Sequence, residues 1–159
     1  MREQLTAREG SGERIRAALA LCRRRETRVA LLLIDLDDVK AVNDTLGHAA
    51  GDTLLQEIAG RLTANVRTGD TVCRLGGDEF VVIAEDVDET AAGQLARLIR
   101  AITEPVPIAQ HSVLVGASVG ISLTDGADLD AGDILRAADV VPGRRAEPAT
   151  DSPRPSGSR

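Results

Sequence analysis

Aromatic residues are almost missing from this sequence: it has no Trp, no Tyr and a single Phe, at position 80. Aromatic side chains supply the largest buried areas and the usual anchors of cores and interfaces, so the core has to be built from Leu, Ile, Val and Ala. Cysteine is nearly as scarce. Cys22 and Cys73 belong to no Cys-x-x-Cys or Cys/His cluster, which excludes a zinc-ligand pattern and a disulfide framework and predicts two buried, reduced thiols. Positive charge is in deficit, with a formal net charge of −6. A general nucleic-acid binder needs basic surface to neutralise phosphates, so that class is excluded. Long apolar runs are absent too. The run 29–34 is far too short to cross a bilayer, and no charged-then-apolar leader pattern opens the sequence, so the expectation is a soluble, cytoplasmic protein with no membrane segment.

What is present is a chain of 159 residues, 43% hydrophobic and 28% charged, enough for one compact domain and too little for two. Ile15, Ala18, Leu19 and Leu21 or Cys22 recur at helical spacing over 13–25, ahead of the basic run Arg23-Arg24-Arg25, where a helix C-terminus favours cations. The apolar run 29–34 ending in Asp35 predicts a central strand buried on both faces. A short helix over Val39–Leu46 is stopped by Gly47, and a longer one carries Leu54, Leu55, Ile58, Ala59, Leu62 and Val66 in register. The segments 71–75 and 80–84 flank Gly76-Gly77-Asp78-Glu79 and predict a hairpin with a turn that tolerates positive φ. A helix follows over 91–102, then one long strand over 113–123 with Gly116 and Gly120 at close approaches or a bulge. A last helix begins at 134–139 and is cut off by Pro142-Gly143.

From Arg144 onward the composition is that of a disordered tail. The predicted fold is α/β, a mixed β-sheet of about four or five strands flanked by helices. Its boundaries are a helical lead-in over 1–27, a domain over 28–141 and the tail over 142–159.

Two acidic clusters carry the chemistry: Asp35-Leu36-Asp37-Asp38 at the end of the buried strand and Asp78-Glu79 at the hairpin tip. If strand and hairpin are sheet neighbours, both meet at one edge. Clustered carboxylates repel unless a cation sits between them, and Mg²⁺ is held by one or two carboxylates, waters and substrate phosphates. That donor set suits phosphoryl or nucleotidyl transfer, and a Gly-Gly turn lets a phosphate approach backbone N–H groups.

In order and spacing, Asp35-Leu36-Asp37-Asp38-Val39-Lys40-Ala41-Val42-Asn43-Asp44, Gly47-His48, Gly51-Asp52 and Arg74-Leu75-Gly76-Gly77-Asp78-Glu79-Phe80 resemble the signature of the GGDEF family of diguanylate cyclases. The resemblance implies a fold similar to the palm of nucleotide cyclases and polymerases. It also implies a homodimer that condenses two GTP into cyclic di-GMP with release of pyrophosphate, in bacterial second-messenger signalling. Carried over residue by residue, Asp35, the Leu36 carbonyl and Asp78 are the metal ligands, for Mg²⁺ with Mn²⁺ as a substitute. Asp78, Glu79 and Lys40 are the catalytic residues, Asp78 accepting the 3′-hydroxyl proton and Lys40 stabilising phosphate charge. Asn43, His48, Asp52, Gly76 and Gly77 bind substrate. Arg67 and Asp70 match an Arg-x-x-Asp product-inhibition site for cyclic di-GMP.

Three departures from the family pattern stand out. Leu5-Thr6-Ala7-Arg8-Glu9-Gly10 lacks an Asn-Arg pair, Val39 replaces a Phe, and Val140-Val141-Pro142-Gly143 stands where the family continues with Met-Tyr-x-Ala-Lys. The last predicts a frameshift or truncation and the loss of a phosphate-binding Lys. Two readings therefore remain open: a Mg²⁺-dependent diguanylate cyclase, and an inactive module that binds GTP or cyclic di-GMP as a regulatory receptor.

Overall fold

The structure, a computed structural model, describes residues 8–124 together with 130, 132 and 133. The chain opens with α1 (Arg8–Arg25), followed by β1 (Val29–Leu36), α2 (Val39–Leu46) and α3 (His48–Asn65). Next come β2 (Thr71–Gly76), β3 (Glu79–Ala84), α4 (Ala91–Thr103), β4 (Val106–Ile108), β5 (His111–Val113) and β6 (Ala117–Thr124). Helix α1 starts before the first residue its periodicity suggests. Gly10, Ser11 and Gly12 are weak helix formers that hide the first turns from a propensity reading.

The main sheet runs β2-β3-β1-β6. Alternate residues of its strands point to opposite faces, and each face has its own cover. Ile15, Ala18, Leu19 and Cys22 of α1 pack with Val29, Leu31, Cys73, Leu75, Val81 and Ile83. On the other face, Ala30, Leu32, Ile34, Leu36, Phe80 and Val82 meet Leu54, Ile58 and Leu62 of α3 and Leu98 and Ile102 of α4. Phe80, the one aromatic residue, is fully buried. Strand β1 is central, as its unbroken apolar run predicts.

The α/β sandwich stands, but the expectation of a mixed sheet needs correction: β1–β3, β1–β6 and β2–β3 are all antiparallel. The reason is the width of the crossovers. Strands β1 and β2 run in the same direction, joined through α2 and α3, and β3 fills the gap between them. Strands β3 and β6 likewise run alike, with β1 between them. Each β-helix-β unit is thus split by a strand of the other, and among the described residues no two parallel strands touch.

The expected single strand over 113–123 is also corrected. Val113 ends β5, which pairs with β4 in a separate ribbon, and only from Ala117 does the chain join the main sheet. The apolar run continues unbroken through Val113, Leu114 and Val115, so the sequence pattern could not reveal a change of partner. Gly116 marks the switch, its carbonyl accepting from the Asp37 N–H at 2.8 Å. The helix expected over 134–139 and the tail beyond Arg144 lie outside the described residues.

Two local features hold the helical layer. Gly47 alone separates α2 from α3, at φ 92° and ψ 162°, a backbone state that essentially only glycine tolerates. Arg61 of α3 reaches the C-terminus of α4, where its Nη1 donates to the carbonyls of Ala101 (3.1 Å) and Glu104 (2.7 Å) and its Nη2 to that of Pro105 (2.8 Å). The last carbonyls of a helix have no partner within it, and a guanidinium both satisfies them and complements the negative end of the helix dipole.

Candidate active site

The two acidic clusters do converge. Asp35 on β1 lies directly across from Glu79 on β3 and from Ser118 on β6. Directly opposed residues project on the same face, so these three side chains emerge together at one end of the sheet. The backbone closes the gap next to them, with the Leu36 N–H donating to the Asp78 carbonyl at 3.0 Å. Asp78 sits in the turn between β2 and β3, where Gly76 has φ 145° and Gly77 φ 53°. Arg74 braces that turn from below, its Nε and Nη2 donating to the Gly77 carbonyl at 3.0 and 2.7 Å.

The electrostatics are those of a site short of positive charge. The Asp35 carboxyl is held above its usual range, first by burial and then by the nearby charges of Asp78 and Asp37. Mutual repulsion of this kind is relieved by a cation. Among the described residues, no group of three or more His, Cys, Asp or Glu side chains forms a metal cage. An all-protein cage is therefore excluded there, while two carboxylates plus a backbone carbonyl remain, the sparse set that Mg²⁺ accepts when phosphates and waters complete its octahedron.

The loop 35–38 is fixed at both ends. Asp37 is tied to Gly116 through its N–H, and a Cβ added at Gly116 would lie 2.9 Å from Asp37 Oδ2. Asp38 adopts the left-handed region at φ 62° and begins α2 by accepting the Val42 N–H at 3.2 Å. Lys40 follows in the first turn of α2, exposed beside the acidic loop. Val39, where the resemblance expects Phe, is buried.

Asn43, His48 and Asp52 come together at the junction of α2 and α3. Helix α2 bears Asn43 on its last turn, His48 opens α3, and Asp52 follows one turn later, the latter two exposed. Asn43 presses on the α3 backbone so closely that a Cβ on Gly51 would stand 1.8 Å from its Oδ1. That oxygen is buried with no hydrogen-bond partner. A buried unsatisfied amide atom is uncommon enough to mark a position shaped for something other than stability.

Arg67 and Asp70 are brought together, though not as a matched pair of surface charges. Asp70 is buried, at 8% exposure, and accepts from Gln94 Nε2 at 2.5 Å, the Arg67 N–H at 3.1 Å and the Glu85 N–H at 3.2 Å. The Arg67 guanidinium faces outward and donates to Asp88 Oδ1 at 3.4 Å and to the Thr90 hydroxyl.

Residues that sequence reasoning missed are mostly those that support others: Gly51 beneath Asn43, Arg74 beneath the turn, Gln94 on Asp70. Gly51 and Arg74 both stand in the quoted motif without a role of their own, and Gln94 carried no signal. An apolar cleft of about 210 Å³ between α4 and the sheet is lined by Leu32, Leu95, Leu98, Ile121 and Leu123, with Gln94 as its one polar residue. It lies at the far end of β1 from Asp35 and has nothing to bind a triphosphate.

A β2-β3-β1-β6 antiparallel sheet with an acidic edge and helices on its faces defines the palm fold of nucleotide cyclases. Solved structures of that architecture match it. The GGDEF domain of YfiN (TpbB) from Pseudomonas aeruginosa is 33% identical, with a TM-score of 0.74 over 86% of this chain and 86% of that one. A sensory box/GGDEF family protein from Caulobacter crescentus is 38% identical, with a TM-score of 0.74 over 85% of this chain and 88% of the other.

This chain belongs to the GGDEF family: the model described as "Diguanylate cyclase, GGDEF domain" matches residues 4–141. Among curated relatives, the bifunctional diguanylate cyclase/cyclic di-GMP phosphodiesterase MucR of Pseudomonas aeruginosa is 46% identical over 115 residues, 72% of this chain and 17% of MucR. The probable diguanylate cyclase DgcE of Escherichia coli is 43% identical over 116 residues, 72% of this chain and 10% of DgcE. The response regulator PleD of Caulobacter vibrioides is 41% identical over 115 residues, 70% of this chain and 25% of PleD. The chain thus spans a quarter or less of each of these relatives. No helix among the described residues is long and apolar enough to cross a membrane.

Proposed function

We propose that this chain is a diguanylate cyclase domain that condenses two GTP into cyclic di-GMP with release of pyrophosphate, in cytoplasmic second-messenger signalling. The observation that carries the reading is the stitched acidic edge, Leu36 N–H to Asp78 carbonyl, with Asp35 held above its usual range beside it. Asp35, the Leu36 carbonyl and Asp78 would hold Mg²⁺, with Mn²⁺ as a substitute. The bound ion would supply charge neutralisation at the α-phosphate and lower the pKa of the attacking 3′-hydroxyl. Asp78 receives the proton with Glu79 beside it in the metal and phosphate region, the N–H groups of Gly76 and Gly77 face the phosphates, and Lys40 offers a compact cation to them.

Asn43, His48 and Asp52 then bind the guanine, whose edge needs both donors and acceptors. The reaction needs two such sites face to face, hence a homodimer. Arg67 would hold a product phosphate, while Asp70, committed to three internal hydrogen bonds, serves the site by fixing the turn that carries Arg67.

A second reading, a receptor for GTP or cyclic di-GMP without catalysis, is favoured by one observation: the turn that carries Arg67 is built from residues separate from the acidic edge and needs no metal. Incubation of purified protein with GTP and Mg²⁺ separates the two. Cyclic di-GMP that forms with wild type and vanishes with Asp78→Ala supports the cyclase. No product, together with cyclic di-GMP binding that Arg67→Ala removes, overturns it in favour of the receptor.

A further inference from the structure

The Arg67 guanidinium is already occupied. The turn 67–70 is closed in both directions, with the Asp70 N–H donating to the Arg67 carbonyl at 3.1 Å and the Arg67 N–H to Asp70 Oδ2. Asp70 is in turn anchored by Gln94 and the Glu85 N–H, so the backbone of Arg67 cannot retreat. Its side chain, 35% exposed, meets Asp88, 60% exposed, and Thr90 at the start of α4. Asp88 Oδ1 accepts three donors: the Thr90 N–H at 2.8 Å, the Thr90 hydroxyl at 2.6 Å and the guanidinium at 3.4 Å. A carboxylate oxygen held in this way takes a guanidinium donor that a phosphate oxygen would also use.

We infer that Asp88 is an internal competitor for the anion site at Arg67, setting its affinity for a phosphodiester ligand by occupying the guanidinium and repelling the incoming charge. The inference rests on the product-site reading given above. A phosphodiester reaching Arg67 has to displace the carboxylate or sit beside it, and two anions on one cation repel. The displaced contact is weak. At 3.4 Å and largely exposed it is a screened surface pair, so removing the charge raises affinity by only about two- to fivefold.

The test is calorimetric titration of the full chain with cyclic di-GMP. Asp88→Asn keeps an oxygen for both Thr90 donors and loses the charge, and Asp88→Ser keeps a hydroxyl that can accept the Thr90 N–H in the same local turn. Both variants are expected to bind about two- to fivefold more tightly than wild type, and Arg67→Ala to abolish binding. If Arg67→Ala abolishes binding while both Asp88 variants bind equally or more weakly, the inference falls and the product site stands. If wild type does not bind, or Arg67→Ala leaves binding unchanged, the product-site reading falls and the inference with it. Melting of each variant before titration shows whether a weaker Asp88 variant has merely lost its fold.

Discussion

Asn43 and Asp70 are both polar side chains placed against packed surroundings, and they have opposite fates. Asp70 has three donors and is a structural residue. Its replacement by Ala leaves two backbone N–H groups and the Gln94 amide without their acceptor, each buried unsatisfied group costing about 1–3 kcal/mol. Urea denaturation of Asp70→Ala should therefore show a loss of several such increments, about 3 kcal/mol in sum. Asn43 has no partner for Oδ1, and Gly51 leaves room for it. Gly51→Ala is expected to leave the melting temperature within a few degrees of wild type while displacing the amide, and displacements near 1 Å in a site lower turnover by about 100-fold. Steady-state cyclic di-GMP synthesis measures it.

Residue identities at the acidic edge were legible because carboxylates at a strand end and beside a Gly-Gly turn form a short-range pattern. The opposing fates of Asn43 and Asp70 were not. They depend on Gly51 and Gln94, and nothing in a linear sequence says that Gln94 comes to rest on Asp70.

Among the elements, those with strong local signals were read closely. Helix α2 ends where Gly47 predicts, and the arms of the hairpin differ from expectation only at Gly76 and Glu79. Strand partners were harder, because hydrogen-bond direction and the change of sheet at Gly116 are long-range choices that alternation does not encode. The contact between α3 and α4 was invisible for the same reason, with Arg61 reading as one more exposed helical charge. Loss of its three bonds to the end of α4 leaves carbonyls uncapped, and Arg61→Ala is expected to destabilise by about 1.5–3 kcal/mol, the range for hydrogen bonds to a charged group. Thermal melting monitored by far-UV circular dichroism measures this. Phe80 lies under the hairpin at 0% exposure, and Phe80→Ala should lose about 3–5 kcal/mol by cavity formation.

For the molecule as a whole, the acidic edge couples stability to pH and to cations. The folded pKa of Asp35 is raised above the ordinary aspartate value of 3.8. A carboxyl raised in this way binds protons more tightly in the folded state than in the unfolded one, so its contribution is lost as pH rises from 3.8 through the folded pKa. At neutral pH the ionised edge is therefore a site of strain, which a divalent cation bound there would relieve. Added Mg²⁺ is expected to raise the melting temperature at neutral pH, by an amount equivalent to about 2.7 kcal/mol at 100 times its dissociation constant. The increment should shrink on acidification as protons replace the ion. Asp78→Asn should raise the melting temperature of the metal-free protein and abolish the increment, a pairing that a merely damaged fold would not produce.

The interleaving of the two β-helix-β units has a consequence for how the chain folds. Strand β1 belongs to the first unit and takes both of its neighbours, β3 and β6, from the second, with Leu32 opposed to Val82 on one side and Ile121 on the other. Neither unit can complete a sheet without borrowing from its counterpart. Most contacts along β1 join residues distant in sequence, so folding waits on loop closure and is slow for the chain's size. Cleavage between β3 and α4 would leave two pieces that are each unfolded alone and regain helix and sheet only when mixed.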